Sequence, residues 1–323
     1  MERALKRTAV LIAMLAGLLR GPAAQPPPPE APPPKAGRTI RAAVEMVSLP
    51  VVVTSGDGRY TTGLAKEDFQ VYEEGAPQEI AAFAAVEDPI SVALVIDTSG
   101  STESQLSRIQ AEAMRFVRLL REDDGAAVVS FADEVTLVEP FSLTHRKNPD
   151  AIRKIRPGGL SAVYEAVWLT MEQVLKLEYG RKAMVILSDG IDNRSESVSR
   201  EETLELARAT DSPIYGVYFA PGRKRVPRWS PIPVPSRGDG PERDAGRKYL
   251  EALAQSSGGL LVDASREDEL GPAFARIARE LRNQYSLGYY PRNLKHDGSF
   301  REVKVVVTRP GLKARSRGGY VDR

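Results

Sequence analysis

Two residue types that often carry chemistry are absent or scarce in this 323-residue sequence, which has no cysteine and only two histidines, His145 and His296. The absence of cysteine excludes disulfide frameworks, thiolate metal sites and cysteine nucleophiles. Two histidines leave little for a His-rich metal centre or a His-dependent triad. A strong charge of one sign is also missing, because 45 Lys and Arg nearly balance 43 Asp and Glu. The protein is therefore not the globally basic kind that binds nucleic acid, and we expect no nucleic-acid partner.

The N-terminus has the layout of a secretory signal peptide. Basic residues precede an apolar run at 9–19, and small residues follow at 21–24. This pattern predicts a signal peptide over residues 1–24. The apolar run is shorter than the roughly 20 residues of an ordinary membrane span. The alternative is an uncleaved N-terminal membrane anchor, and in both cases we expect the folded part to be secreted or periplasmic.

A proline-rich segment follows over residues 25–38, with seven prolines between positions 26 and 34. Such a tract favours extended polyproline II and cannot bury a core. We interpret it as a semi-rigid linker to the folded part.

The remaining chain changes its periodicity twice. Residues 39–88 and 284–323 show short alternating runs separated by Gly-containing turns, which is typical of β-strands. Residues 89–283 instead alternate buried apolar runs with segments of helical spacing, which predicts a doubly wound, mostly parallel α/β sheet. The helical segments are 106–120, 162–177, 201–210, 248–255 and 270–281. The fold class is therefore α/β, with this domain inserted into a β-rich, sandwich-like domain formed by both chain ends.

Oxygen-bearing side chains stand where ligands bind in such sheets, beyond the carboxyl ends of the strands. Asp97, Ser99 and Ser101 follow one buried strand, Asp189 follows another, and Ser161 precedes a helix. Each could serve separately as a helix cap or turn residue. Together they offer oxygen ligands without nitrogen or sulfur, which suits Mg²⁺ best, with Mn²⁺ possible.

These residues resemble the metal-ion-dependent adhesion site of von Willebrand factor type A domains, whose pattern is DxSxS, a later Thr and then an Asp. The flanking segments resemble a secreted bacterial family related to these domains; they are 64–75, 285–291 and 318–320. The resemblance implies a Rossmann-like fold over 89–283. It also implies direct metal contacts from the three serines, and contacts that are direct or through water from Asp97 and Asp189. Ser161 stands where the family usually has Thr, and serine lacks the methyl group that stiffens χ1.

The resemblance further implies a non-enzymatic protein-binding, adhesion-type module, in which an Asp or Glu carboxylate of a partner completes the metal shell. Two alternatives remain open. One is an envelope scaffold with a structural metal, and the other is a metal-assisted hydrolase. The second has less support because the sequence shows no nucleophile elbow, phosphate loop or acid–base constellation.

A basic, proline-rich insertion over residues 221–248 carries eight basic and three acidic side chains. It leaves the carboxyl end of a predicted strand, so it should emerge on the same face as the metal. We predict that it contributes to binding an acidic partner through Arg223, Lys224, Arg225, Arg228 and Trp229.

Overall fold

The computed structural model describes residues 46–86, 88–142, 148–220, 240–295 and 297–322. They belong to one compact unit that extends from Val44 to Arg323. The predicted signal peptide, the predicted proline-rich linker and the five binding residues predicted between 223 and 229 lie outside the described residues. In the part of the chain that is described, no helix has the length and apolar character needed to cross a membrane.

The described residues contain strands and helices in an order that changes along the chain as the sequence predicts. The strands are β1 (Val47–Ser55), β2 (Phe69–Glu73), β3 (Ala76–Gln78), β4 (Ile80–Ala84), β5 (Ile90–Asp97), β6 (Gly125–Phe131), β7 (Val135–Ser142), β8 (Arg181–Ser188), β9 (Ile214–Tyr218), β10 (Leu261–Asp263), β11 (Gln284–Tyr289), β12 (Phe300–Val307), β13 (Leu312–Arg315) and β14 (Gly319–Val321). The α-helices are α1 (Leu106–Leu119), α2 (Asn148–Lys154), α3 (Val163–Leu169), α4 (Arg200–Ala209), α5 (Pro241–Ser257) and α6 (Leu270–Arg282).

A six-stranded sheet lies at the centre of the α/β part, with the strand order β10-β9-β8-β5-β6-β7. Its strands are parallel except β7, which pairs antiparallel with β6. Alternate residues of β5 enter two different cores: Val92 and Leu94 face α1, α2 and α6, whereas Ala93 and Val95 face α3, α4 and α5. Helices therefore cover both faces, which explains why β5 is a continuous apolar run. The predicted doubly wound α/β fold is confirmed.

Both chain ends contribute to two antiparallel four-stranded sheets, with the orders β13-β1-β11-β4 and β14-β12-β2-β3. Their side chains share one buried cluster that includes Leu49, Phe69, Tyr285 and Tyr289. The returning C-terminal strand β11 lies between β1 and β4 of the N-terminal part. A β-rich part built from both chain ends was expected and is present, and its strands pair antiparallel. The boundaries at 88/89 and 283/284 stay a prediction.

Two predicted helices differ from the structure in detail. The segment predicted to be helical over 162–177 is helical, but α3 passes into π-helical geometry over Thr170–Leu175. The insertion predicted to extend to residue 248 ends earlier, since α5 begins at Pro241. Proline at the first helical position has a suitable φ and lacks an N–H that would be unpaired there anyway. Glu242 and Asp244 lie in the first turn of α5, where their negative charges interact favourably with the positive end of the helix dipole.

A buried arginine connects the points where the chain enters and leaves the α/β part. Arg181 begins β8, and its guanidinium donates to the carbonyl oxygens of Val86 and Asp88 just before β5. It also donates to the carbonyl oxygen of Leu281 at the end of α6, at 2.6 Å. Burial lowers the pKa of this guanidinium. Arg181 thus holds the two crossing segments against the same strand.

Replacing Arg181 with methionine is expected to lower the free energy of unfolding by about 2–3 kcal/mol, because buried carbonyl groups lose a charged donor. Urea denaturation of the metal-free protein measures this change. The matched control is Arg59→Met, since the side chain of Arg59 is 86% exposed and its salt bridge to Asp57 is on the surface. We expect the control to change stability by less than about 0.5 kcal/mol. Equal effects of the two substitutions would contradict the proposed role of Arg181.

Candidate metal centre

The site begins with two neighbouring strands that end in polar residues. Asp97 is the last residue of β5 and Ser188 is the last residue of β8. The strands pair in parallel, with Ile96 opposite Leu187 one position earlier. This register places Asp97 beside Ser188, and the Ser188 hydroxyl donates to Asp97 Oδ2 at 2.7 Å. An apolar strand pair therefore delivers a carboxylate and a hydroxyl to one edge of the sheet.

The Asp97 carboxylate is the centre of a hydroxyl network. Its exposed fraction is 0%. Oδ1 accepts from the Ser99 hydroxyl at 2.6 Å and from the Ser99 N–H at 3.0 Å. Oδ2 accepts from the Ser161 hydroxyl at 3.2 Å, and the Ser99 and Ser101 hydroxyl oxygens lie 3.2 Å apart. The structure thus brings together four of the five predicted metal ligands.

Backbone contacts hold the loop that carries Ser161 against the loop that follows β5. The Gly100 N–H donates to the Gly159 carbonyl at 2.9 Å, and the Gly158 N–H donates to the Thr98 carbonyl at 2.7 Å. A side chain at Gly158 would collide with Ala132, so the close approach requires glycine. These contacts fix Ser161 near Asp97 without depending on the metal.

Asp189 is the fifth predicted ligand, and it reaches the same group. It lies in a turn with Gly190 at φ 75°, and its exposed fraction is 4%. Burial, followed by the negative charge of Asp97, raises the pKa of Asp189 to about 6. Ser101 acts on this pKa in the opposite direction, so Asp189 lies close to both Asp97 and Ser101. All five predicted residues therefore meet at one site.

The donor set fits a hard divalent cation. Two buried carboxylates close enough to influence each other are unfavourable without a positive charge between them. Burial also raises the pKa of Asp97. In the described ranges no group of three or more His, Cys, Asp or Glu side chains could hold a metal, so hydroxyl oxygens must complete any shell here. Oxygen ligands of this kind suit Mg²⁺.

Sequence reasoning missed two residues of this site. Ser188 is not among the predicted ligands, although a polar residue at the end of a buried apolar strand is a usable signal. Asn193 was not considered. The side-chain oxygen of Asn193 accepts from the Ser161 N–H at 2.7 Å, and the backbone N–H of Asn193 donates to the Ser161 carbonyl at 3.0 Å. No spacing rule relates residues 161 and 193, so only the fold reveals this pair.

Replacing Asn193 with alanine is expected to weaken Mg²⁺ binding about tenfold, because groups that orient ligands typically contribute 10–100-fold to metal affinity. Asn193→Asp retains the accepting oxygen and should keep more of the affinity. Isothermal titration calorimetry with MgCl₂ measures both variants against the unmodified protein. Unchanged affinity in Asn193→Ala would show that the Ser161 backbone needs no such support.

Comparisons with known proteins agree with the predicted domain type. The family model of the von Willebrand factor type A domain matches residues 92–191. Its range includes Asp97, Ser161 and Asp189. No curated protein matches the chain. The chain therefore contains this domain, as its sequence predicted, while the finer secreted bacterial family stays a prediction.

Solved structures similar to this chain come from animals and bacteria. Proximal thread matrix protein 1 from the mussel byssus, with a zinc-occupied MIDAS motif, is 18% identical over 65% of this chain and 49% of its own, with a TM-score of 0.48. BatB from Bacteroides thetaiotaomicron is 17% identical over 59% of this chain and 99% of its own, with a TM-score of 0.42. The vWF domain of the type V pili tip protein Mfa5 from Porphyromonas gingivalis is 13% identical over 59% of this chain and 94% of its own, with a TM-score of 0.44. The chain spans about half the length of the mussel protein.

Proposed function

We propose that the von Willebrand factor type A domain of this chain is a metal-dependent protein-binding module of adhesion type. One observation carries the proposal: the buried Asp97 carboxylate and three hydroxyls share hydrogen bonds at the carboxyl edge of the central sheet, and the buried Asp189 carboxylate lies beside them. Mg²⁺ is the proposed cofactor, with Mn²⁺ as a substitute of similar ligand preference. The proposed location is secreted or periplasmic, with an N-terminal membrane anchor if the signal peptide is uncleaved.

The proposed ligands divide by their position and charge. Ser99, Ser101 and Ser161 would contact the metal directly, and Asp97 and Asp189 would bind it directly or through water. When bound, the metal supplies a positive centre that attracts an outside carboxylate. Ser101 is exposed, whereas Asp97 is fully buried. The outside carboxylate would therefore approach from the side of Ser101.

The surroundings support binding of a protein surface. Leu160 precedes the ligand Ser161, and its exposed fraction is 47%. Its N–H donates to Asp133 at 3.0 Å, as does the N–H of Gly159, so the loop is held while the side chain faces solvent. Leu160 thus offers an apolar contact beside the proposed metal, although a single exposed leucine is common on protein surfaces. The site is proposed to bind rather than to catalyse, because its carboxylates are committed to the metal.

Binding of a short peptide with one glutamate to the immobilised protein tests the proposal. With MgCl₂ present we expect weak binding, with a dissociation constant of about 1 mM. EDTA, or replacement of the glutamate by glutamine, should abolish it. Mg²⁺ binding without any preference for glutamate over glutamine would contradict the proposal and favour a scaffold with a structural metal.

A further inference from the structure

Helix α5 lies directly against the turn that carries Asp189. If Gly246 had a Cβ, that atom would lie 2.5 Å from the Asp189 carbonyl oxygen and 2.8 Å from the Gly190 carbonyl carbon. Gly190 in turn has no room for a side chain on its side of the contact, because the Gly246 backbone fills that space. Two glycines thus bring the first turns of α5 to the edge of the metal site.

Arg243 projects from the same face of α5 as Gly246, because residues three apart on a helix are neighbours. It is partly exposed. Its positive charge acts on the site, since it opposes the rise in pKa that burial causes at both Asp189 and Tyr218. Tyr218 is the last residue of β9, the strand next to β8. Arg243 is therefore located on the β9 side of the proposed metal.

The neighbouring arginine on α5 is engaged, whereas Arg243 is not. The Arg247 guanidinium lies over the Tyr218 ring at 6.0 Å and is 3.6 Å from Asp263. In the described ranges, the Arg243 guanidinium makes no hydrogen bond and no ion pair, and the hydrogen bond of this residue to the Gly240 carbonyl comes from its backbone N–H. Its donors are thus available to an outside group.

A free cation beside a cation site has an electrostatic cost, because like charges repel. A partner that brings only one carboxylate would satisfy the metal and leave Arg243 unpaired. A partner with two carboxylates would satisfy both positive centres, and arginine is well suited to bind the second one through paired N–H donors. The charge arrangement therefore favours a doubly acidic partner.

We propose that Arg243 is a specificity-determining residue that selects partner proteins carrying a second Asp or Glu close to the carboxylate that binds the metal. This inference rests on the proposed function and specifies the partner class. The partner would present a cluster of at least two acidic side chains, one for the metal and one for Arg243. Leu160 lies on the other side of the site, next to the β6 end, and is not part of this selection.

The test compares glycine-based peptides with one glutamate and with two glutamates separated by one to four glycines. In MgCl₂, the best two-glutamate peptide is expected to bind the unmodified protein about tenfold more tightly than the one-glutamate peptide. In Arg243→Ala the ratio should fall to about two, the statistical factor for two equivalent carboxylates. Arg243→Glu should reduce it further. Arg208→Ala, the same charge change at the exposed end of α4, should retain the tenfold ratio.

Calorimetry with MgCl₂ and circular dichroism on the same variants separate the possible outcomes. Arg243→Ala should remain folded, since alanine is a strong helix former, and its Mg²⁺ affinity should be unchanged or higher. A ratio of two in the unmodified protein, or tenfold in Arg243→Ala, would overturn the inference. A higher Mg²⁺ affinity of Arg243→Ala with the tenfold ratio retained would also overturn it, by showing that Arg243 only compensates Asp189. If the unmodified protein shows no Mg²⁺-dependent binding of the one-glutamate peptide, that result would instead contradict the proposed function.

Discussion

Replacing Asp97 with asparagine is expected to reduce Mg²⁺ affinity at least about 100-fold, which corresponds to about 2.8 kcal/mol. The carboxylate lies at the centre of the site, where it accepts hydrogen bonds from three serine hydroxyls. Asparagine has the same shape and keeps one accepting oxygen, but it removes the charge that a divalent cation requires. The hydroxyl groups can reverse their donor and acceptor roles, so the fold should survive.

Calorimetric titration with MgCl₂ measures this loss, and the thermal unfolding of the metal-free variant checks its fold. The matched control is Asp57→Asn, the same chemical change in the exposed turn directly after β1. The control should bind Mg²⁺ with the affinity of the unmodified protein. Retained binding in Asp97→Asn would place the metal elsewhere.

The second prediction is that Asp189→Asn has opposite effects on stability with and without metal. In metal-free protein at pH 7.5, the variant should be more stable than the unmodified protein by about 1–2 kcal/mol. The reason is that Asp189 is a buried carboxylate whose pKa is raised by burial and by Asp97. Asparagine keeps the acceptor for the Ile191 N–H and loses the charge. With MgCl₂ the unmodified protein should gain stability and the variant should gain little.

The pH dependence of the metal-free protein follows from the same shift. The pKa of Asp189 is raised from 3.8 in the unfolded chain to about 6 in the folded protein. Between these values the folded state binds more protons than the unfolded state, so the contribution of Asp189 to stability decreases as pH rises. It is fully present below pH 4 and is lost above pH 6. The variant should lack this component.

Thermal unfolding in EDTA at pH 4, 5, 6 and 7.5 tests the pH dependence. A further measurement in MgCl₂ at pH 7.5 tests the effect of the metal on the two proteins. At pH 7.5 without metal, the melting temperature of Asp189→Asn should exceed that of the unmodified protein by about 2–4 °C per kcal/mol. MgCl₂ should reverse the order. A variant that is less stable in both conditions would show that Asp189 serves the fold and not the metal.

The sequence predicted the fold, and which side chains lie together at the strand ends, for clear physical reasons. The buried run before Asp97 and the helical spacing after it follow from a strand and a helix that bury apolar faces. Because Asp97 and Asp189 each follow such a strand, parallel pairing was enough to predict that they meet. The alternating runs at both chain ends likewise predicted β-strands.

The remaining features depend on contacts between residues distant in sequence. Asn193 meets Ser161, and Arg243 acts on Asp189, only because separate elements pack together. The change of α3 into a π-helix leaves the apolar spacing of residues 162–177 nearly unaltered, so periodicity could not reveal it. The early start of α5 was signalled by Pro241, but the surrounding prolines favoured interpretation as a continuous loop.

The central claim is that a carboxylate from a partner binds directly to the metal held by Asp97, Ser99, Ser101, Ser161 and Asp189. The most direct measurement is ¹³C relaxation of a one-glutamate peptide, labelled at its carboxylate carbon, in the presence of the protein loaded with Mn²⁺. The account predicts strong paramagnetic broadening of that carbon, much less broadening of other peptide carbons, and loss of the effect in Asp97→Asn. Uniform broadening along the peptide, or the same broadening in Asp97→Asn, would contradict direct coordination.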